Sequence, residues 1–144
     1  LPADKKERAK VLADLKNETR TIVLYEAPHH LVKTLQELEE TLGNRRMTIC
    51  RELTKRHETI FRTTVHEALS YYTENEPKGE CVCVIEGVSF SDLLAEERKQ
   101  WENMALSDHV EYYRNQGMDK KAAMKQVSLD RGISKREVYQ ALLE

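Results

Sequence analysis

A chain of 144 residues, 40% hydrophobic and 33% charged, is long enough for one ordinary domain or for a small domain with a helical appendage. Its longest apolar runs, "TIVLY" and "CVCVIEG", are strand-sized and far below the roughly 20 residues of a membrane-spanning helix, so no membrane partner is expected, and no signal-peptide pattern is visible. The formal charge of −2 is unevenly spread: six bases face two acids between Gly43 and His66, nine acids face three bases from Glu67 to Asn103, and seven bases face two acids from Arg114 to Arg136, a distribution that lets part of the surface hold a polyanion.

In chain order, "ADKKERAKVLADLK" (3–16) predicts an amphipathic helix with Ala9, Leu12 and Leu15 on its inner face. "TRTIVLYE" predicts a strand. After Pro28, Leu31, Leu35, Leu38 and Leu42 recur at helical spacing, and Gly43 stands where a C-terminal glycine cap belongs. "RRMTICREL" and "HETIFRTT" predict a hairpin turning near Thr54 to Arg56. "VHEALSYYTEN" puts Val65, Ala68, Leu69 and Tyr72 on one helical face, and the turn "PKGE" feeds the strand "CVCVIEG", whose unbroken apolar run predicts a central strand covered on both faces. Residues 1–90 are therefore expected to form an α/β domain with a mixed sheet of about four to five strands and flanking helices. Residues 91–144 are expected to be a helical tail. There "SDHVEYYRNQG", "DKKAAMKQVSLDRG" and "SKREVYQALLE" offer Ser107, Asp119 and Ser134 as N-caps, and Ser134 with Glu137 forms a capping box. Short helices joined by a glycine turn resemble a helix-turn-helix, which would bind nucleic acid through Lys120, Lys121, Lys125, Arg131, Lys135 and Arg136; a helical packing unit with a basic outer face explains the same pattern.

The chemistry is restricted. Five histidines do not fall at ligand spacing with Cys50, Cys81 and Cys83, so no metal site is expected. The odd cysteine count without a CxxC suits a reduced, cytoplasmic protein whose cysteines are small core residues. No nucleophilic triad can be assembled, no catalytic residue is identified, and the five isolated glycines include no phosphate-cradling loop. Two stretches exceed this background. In "YEAPHH", Glu26 ends a strand and Pro28 preorganises a first helical turn at the mouth of the sheet, a place where ligands gather. In "RELTKRHE", Arg51, Glu52, Lys55, Arg56 and Glu58 crowd the tip of a hairpin.

"LPADKKERAKVL", the stretch from "TIVLYEAPHH" through "RELTKRHETIFRTTVHEAL", and "PKGECVCVIEG", in this order, resemble the C-terminal half of the small-subunit rRNA ribose methyltransferases of the tetrapyrrole methylase superfamily. Residues 1 to about 87 carry the resemblance, and "GMDKKAAMKQVSLDRGISKREVYQALLE" is similar to the helical tail of many of these proteins. It implies the second domain of a two-domain enzyme that uses S-adenosyl-L-methionine to methylate a cytidine ribose 2′-oxygen of 16S rRNA. The cofactor would lie between this domain and a Gly-rich first domain outside the chain, so residues 1–144 alone are expected to be inactive. Tyr25, Glu26, Ala27, Pro28 and His29 match the motif that would line the cofactor cleft; His30 stands where that motif commonly has arginine. Arg51, Lys55 and Arg56, with Lys120, Lys121, Arg131, Lys135 and Arg136 of the tail, would contact RNA, and a homodimer is implied. The alternatives are a non-catalytic RNA-binding module and a superfamily relative that methylates a tetrapyrrole.

Overall fold

The computed structural model describes residues 1–143, so Glu144, the last residue of the expected tail, lies outside the described residues. Two units emerge, Leu1–Phe90 and a second that starts at Ser91. In the first, helix α1 (Lys5–Leu15) begins where the Asp4 carboxylate accepts from the Glu7 amide, an N-cap. Its inner face is Arg8, Leu12 and Leu15 at i, i+4, i+7, whereas Ala9 is exposed; a long side chain that anchors its charge can take a helix's inner face as an alanine would. Strand β1 (Ile22–Glu26) runs into a 3-10 turn at Pro28–His30 and then α2 (Leu31–Leu42). Strands β2 (Arg46–Arg51) and β3 (Thr59–Thr64) form the expected hairpin, α3 (Val65–Glu74) follows with Thr64 capping Glu67, and β4 (Cys81–Ile85) completes the sheet.

The strand order is β1-β4-β2-β3, with every pairing antiparallel. The sheet among the described residues is thus not the mixed one expected. Strands that run the same way, β1 with β2 and β3 with β4, are each separated by a neighbour running oppositely. Both helical connections skip one strand, and they travel in opposite directions from oppositely directed strands. Right-handed crossovers of that kind must land on the same face, and α2 and α3 do pack there together. Ile22, Met47, Ile49, Cys81, Cys83 and Ile85 point to that face and are buried against Leu31, Leu35, Leu38, Leu42, Val65, Ala68 and Tyr72. The opposite face carries no helix of this unit. Val82 and Val84 are only half-buried there, with Val23 and Ile60 exposed, so β4 is central in the sheet yet covered by helices of this unit on one face only. An unbroken apolar run reads the same whether its second face is covered or bare, because valine suits both.

Helix α4 (Phe90–Lys99), which begins at the last residue of the first unit, was not distinguished in the sequence; α5 (Leu106–Arg114), α6 (Lys120–Arg131) and α7 (Lys135–Leu143) follow in the second unit. Ala105, not Ser107, is the N-cap of α5. Asp119 caps α6 by accepting from the Ala122 amide, and Ser134 and Glu137 exchange both capping-box bonds. Gly132 takes the left-handed conformation (φ 66°) that turns α6 into α7, a position that disfavours a Cβ. Val110, Ala123, Val127 and Val138 form the core. Beside it lies a polar cluster. His109 is fully buried, stacked on Trp101 at 3.9 Å, and its Nδ1 lies 2.9 Å from Arg131 Nε. A guanidinium only donates, so Nδ1 accepts and the imidazole proton sits on Nε2, from which it is donated to Asp130 Oδ2 at 3.1 Å. Tyr113 OH and Gln126 Nε2 donate to the same carboxylate.

Candidate functional site: the sheet end where three motifs meet

The strand register explains why distant stretches of sequence converge. Glu26, the last residue of β1, pairs with Cys81, the first of β4, and Cys81 pairs with Arg51, the last of β2. One end of the sheet therefore gathers "YEAPHH", "RELTKRHE" and "PKGE". The second and third are locked together: the Glu52 amide donates to Glu80 O (3.2 Å), Glu52 Oε1 accepts from the Glu80 amide (3.0 Å), and Arg51 Nη1 donates to Lys78 O (2.9 Å). Gly79 is required at this crossing. Its φ is +79°, and a Cβ there would lie 2.0 Å from Glu52 Oε1, closer than any side-chain carbon tolerates.

The loop between β2 and β3 is longer than the expected turn. Glu52 (φ 53°) and Thr54 (φ 64°) occupy the left-handed region, which costs roughly 1–2 kcal/mol for each such residue. Strain of this kind persists only where the surroundings over-determine it, and it gathers at ligand clamps. Here the bonds to Glu80 and the Lys55 amide's bond to Glu52 O (3.0 Å) impose it. Lys55 Nζ lies 3.3 Å from Glu52, and this contact, with the Glu80 amide, holds the Glu52 carboxyl below its usual range. Lys55 and Arg56 are exposed. Arg51 instead turns inward, its guanidinium 5.9 Å above the Tyr72 ring, with Nε buried and without a hydrogen-bond partner.

The residues of "YEAPHH" separate by face. Tyr25 is 80% exposed on the helix-free side, while Glu26 turns toward α2: Oε1 accepts from the Ala27 amide (3.0 Å) and Oε2 from Thr34 Oγ1 (2.6 Å). Pro28 sits in the first position of the 3-10 turn as expected, and the His29 and His30 rings lie 4.1 Å apart, tilted 45° to one another. Pro28, His29, Val32, Tyr72, Glu76 and Pro77 line a cavity of about 510 Å³, a volume that suits a small ligand. Cys81, behind it, is no nucleophile. Burial pushes its thiol up to about 11, and that of Cys83 to about 12, which leaves both protonated near neutrality.

The tail residues named from the sequence also separate. Lys120, Lys121, Lys135 and Arg136 are exposed at the starts of α6 and α7. Arg131 faces inward, donating from Nε to His109 and from Nη2 to Met104 O. The sequence did not single out Arg8 and Thr34, which stand behind Glu26; the available signals were a threonine within the leucine stripe of α2 and an arginine four residues before Leu12.

No helix among the described residues is long and apolar enough to cross a membrane. Residues 1–69 match the family described as Tetrapyrrole (Corrin/Porphyrin) Methylases. The chain is 41% identical, over 98% of its length, to the ribosomal RNA small subunit methyltransferase I of Bacillus subtilis, of which it covers 48%. It is 40% identical over 96% of its length to the protein of that name from Halalkalibacterium halodurans, covering 47%, and 38% identical over 100% to that of Synechocystis, covering 50%. The chain thus spans about half the length of the curated relatives it matches. The resemblance carried by its motifs, the family match over residues 1–69 and these relatives all point to the tetrapyrrole methylases.

Proposed function

We propose that this chain is the C-terminal part of an S-adenosyl-L-methionine-dependent methyltransferase that modifies a cytidine ribose 2′-oxygen in 16S rRNA of the small ribosomal subunit, working in the cytoplasm as a homodimer. The observation that carries the reading is the convergence of three motifs on one sheet end beside a ligand-sized cavity, together with the names of the relatives. The chemistry of that end suits the cofactor. A sulfonium and an ammonium are cations; Glu74 and Glu76 line the cavity, and Glu26 ends the strand that leads into its wall at Pro28. When bound, the cofactor supplies an electrophilic methyl group for in-line displacement by the ribose oxygen. This chain's share is orientation: Glu26 anchors a polar group of the ligand and His29 faces the transferring methyl or the ribose. Holding the reactants in line accounts for most of the rate such a displacement needs. The protein beyond this chain supplies the opposite wall, so residues 1–144 alone should bind the cofactor weakly and transfer no methyl group. Calorimetric titration tests this directly, and tight binding by the isolated chain would contradict it.

The exposed bases of the β2–β3 loop and of α6 and α7 form the RNA side of the reading. Replacing Lys55 and Arg56 together by glutamine in the full-length protein should weaken rRNA binding and flatten its salt dependence. Each lost phosphate contact removes about 0.9 from the slope of log K against log salt on duplex and about 0.7 on single strands. An unchanged slope in filter-binding titrations would remove the loop from the RNA surface.

A further inference from the structure

Within the buried stripe of α2, Leu31, Leu35, Leu38 and Leu42 are apolar, and Thr34 is not, although it is fully buried. A valine would fill the same space without a hydroxyl to satisfy, and a buried hydroxyl is costly unless bonded. Its bonds have a direction. Arg8 Nη2 donates to Thr34 Oγ1 at 2.8 Å; a guanidinium cannot accept, so the threonine proton is left to point at Glu26 Oε2, 2.6 Å away. Arg8 is itself fixed, with Nε donating to Glu37 Oε2 at 2.5 Å and only 14% of its side chain exposed. The Ala27 amide holds the other oxygen of Glu26. Both of these partners of the carboxylate are donors, one on each oxygen, so the group is clamped as an acceptor with its remaining lone pairs free for a ligand.

We propose that Thr34 and Arg8 are positioning residues: a relay from α1 through α2 that orients the Glu26 carboxylate toward a cationic or hydroxyl group of the bound ligand. The proposal rests on the reading of this sheet end as the cleft wall. A helix start alone would not need the relay, because Pro28 already preorganises the turn that follows Glu26. Chains of such bonds fix a reacting group's geometry through residues that never touch the ligand.

The test compares Thr34→Val, Thr34→Ser and Glu26→Gln in the full-length protein, measuring kcat, KM for the methyl donor and the thermal midpoint of each. Thr34→Val should leave the midpoint near that of the wild type. It should lower kcat/KM on the order of tenfold to a hundredfold, the range that small misplacements produce, and Thr34→Ser should restore it. If Glu26→Gln is impaired while Thr34→Val turns over like the wild type, the relay is overturned and the cleft reading stands. If Glu26→Gln itself retains wild-type turnover, the cleft reading falls and the relay with it. A Thr34→Val loss that only tracks a lower midpoint, with no rescue by serine, reduces Thr34 to a packing residue and also overturns the proposal.

Discussion

An Asp130→Ala variant is expected to unfold the C-terminal helical unit while the α/β unit stays folded. Asp130 accepts from His109, Tyr113 and Gln126 at once, so its removal strands three donors, all of them on half-buried or buried residues. Leaving buried donors unsatisfied costs about 1–3 kcal/mol each. A unit this small holds only about 3–8 kcal/mol in total, at roughly 0.05–0.15 kcal/mol per residue. The chain's single tryptophan, Trp101, is stacked on His109, so its fluorescence reports this unit selectively during urea unfolding. The same cluster sets a pH dependence. Burial pushes the His109 pKa down, and the neighbouring Arg131 cation adds to that, against a smaller opposing pull from Asp130. Unfolded, the imidazole titrates near 6.5; below that pH the unfolded state takes up a proton that the folded state refuses. The unit's stability should therefore be fullest above about pH 6.5 and fall as the pH drops from there toward the lowered folded value. A flat or rising stability between pH 7 and 5, or a wild-type urea midpoint for Asp130→Ala, would contradict this structure of the cluster.

Glu26→Gln in the full-length protein should reduce methyl transfer by on the order of a hundredfold, as loss of a positioning contact can, while stability changes by about 1 kcal/mol. Glutamine keeps one carbonyl oxygen for Thr34 and gives up the charge and one acceptor, so folding and function are separated more cleanly than by alanine. Matched thermal melts and single-turnover assays provide the measurement. A variant that loses stability and activity in proportion would assign Glu26 to the fold alone.

Most of the elements in this molecule were legible from spacing. Leu31, Leu35, Leu38 and Leu42 announced α2, the stripe of Val65, Ala68, Leu69 and Tyr72 announced α3, and the capping box of Ser134 and Glu137 opened α7 as its residues implied. Strand order was not legible, because local periodicity says nothing about which strand lies between two others. The insertion of β4 between β1 and β2 creates the site by placing Cys81 between Glu26 and Arg51. The direction of individual charges was also hidden. Arg51 and Arg131 look like surface bases in a linear reading, yet one stacks over Tyr72 and the other bonds a buried histidine. A guanidinium serves a phosphate and an interior network equally well, so only the fold distinguishes them. Arg8 escaped for the converse reason: it occupies an inner-face position that helical spacing would give to an apolar residue.

The central claim is that the sheet end joining Glu26, Arg51 and Gly79 serves methyl transfer to small-subunit rRNA. Mass spectrometry of 16S rRNA nucleosides from a strain lacking the gene, complemented with the wild-type or the Glu26→Gln full-length protein, tests it most directly. The account predicts that one 2′-O-methylated cytidine disappears on deletion, returns with the wild type and stays largely absent with the variant. Unchanged rRNA methylation in the deletion strain would contradict it.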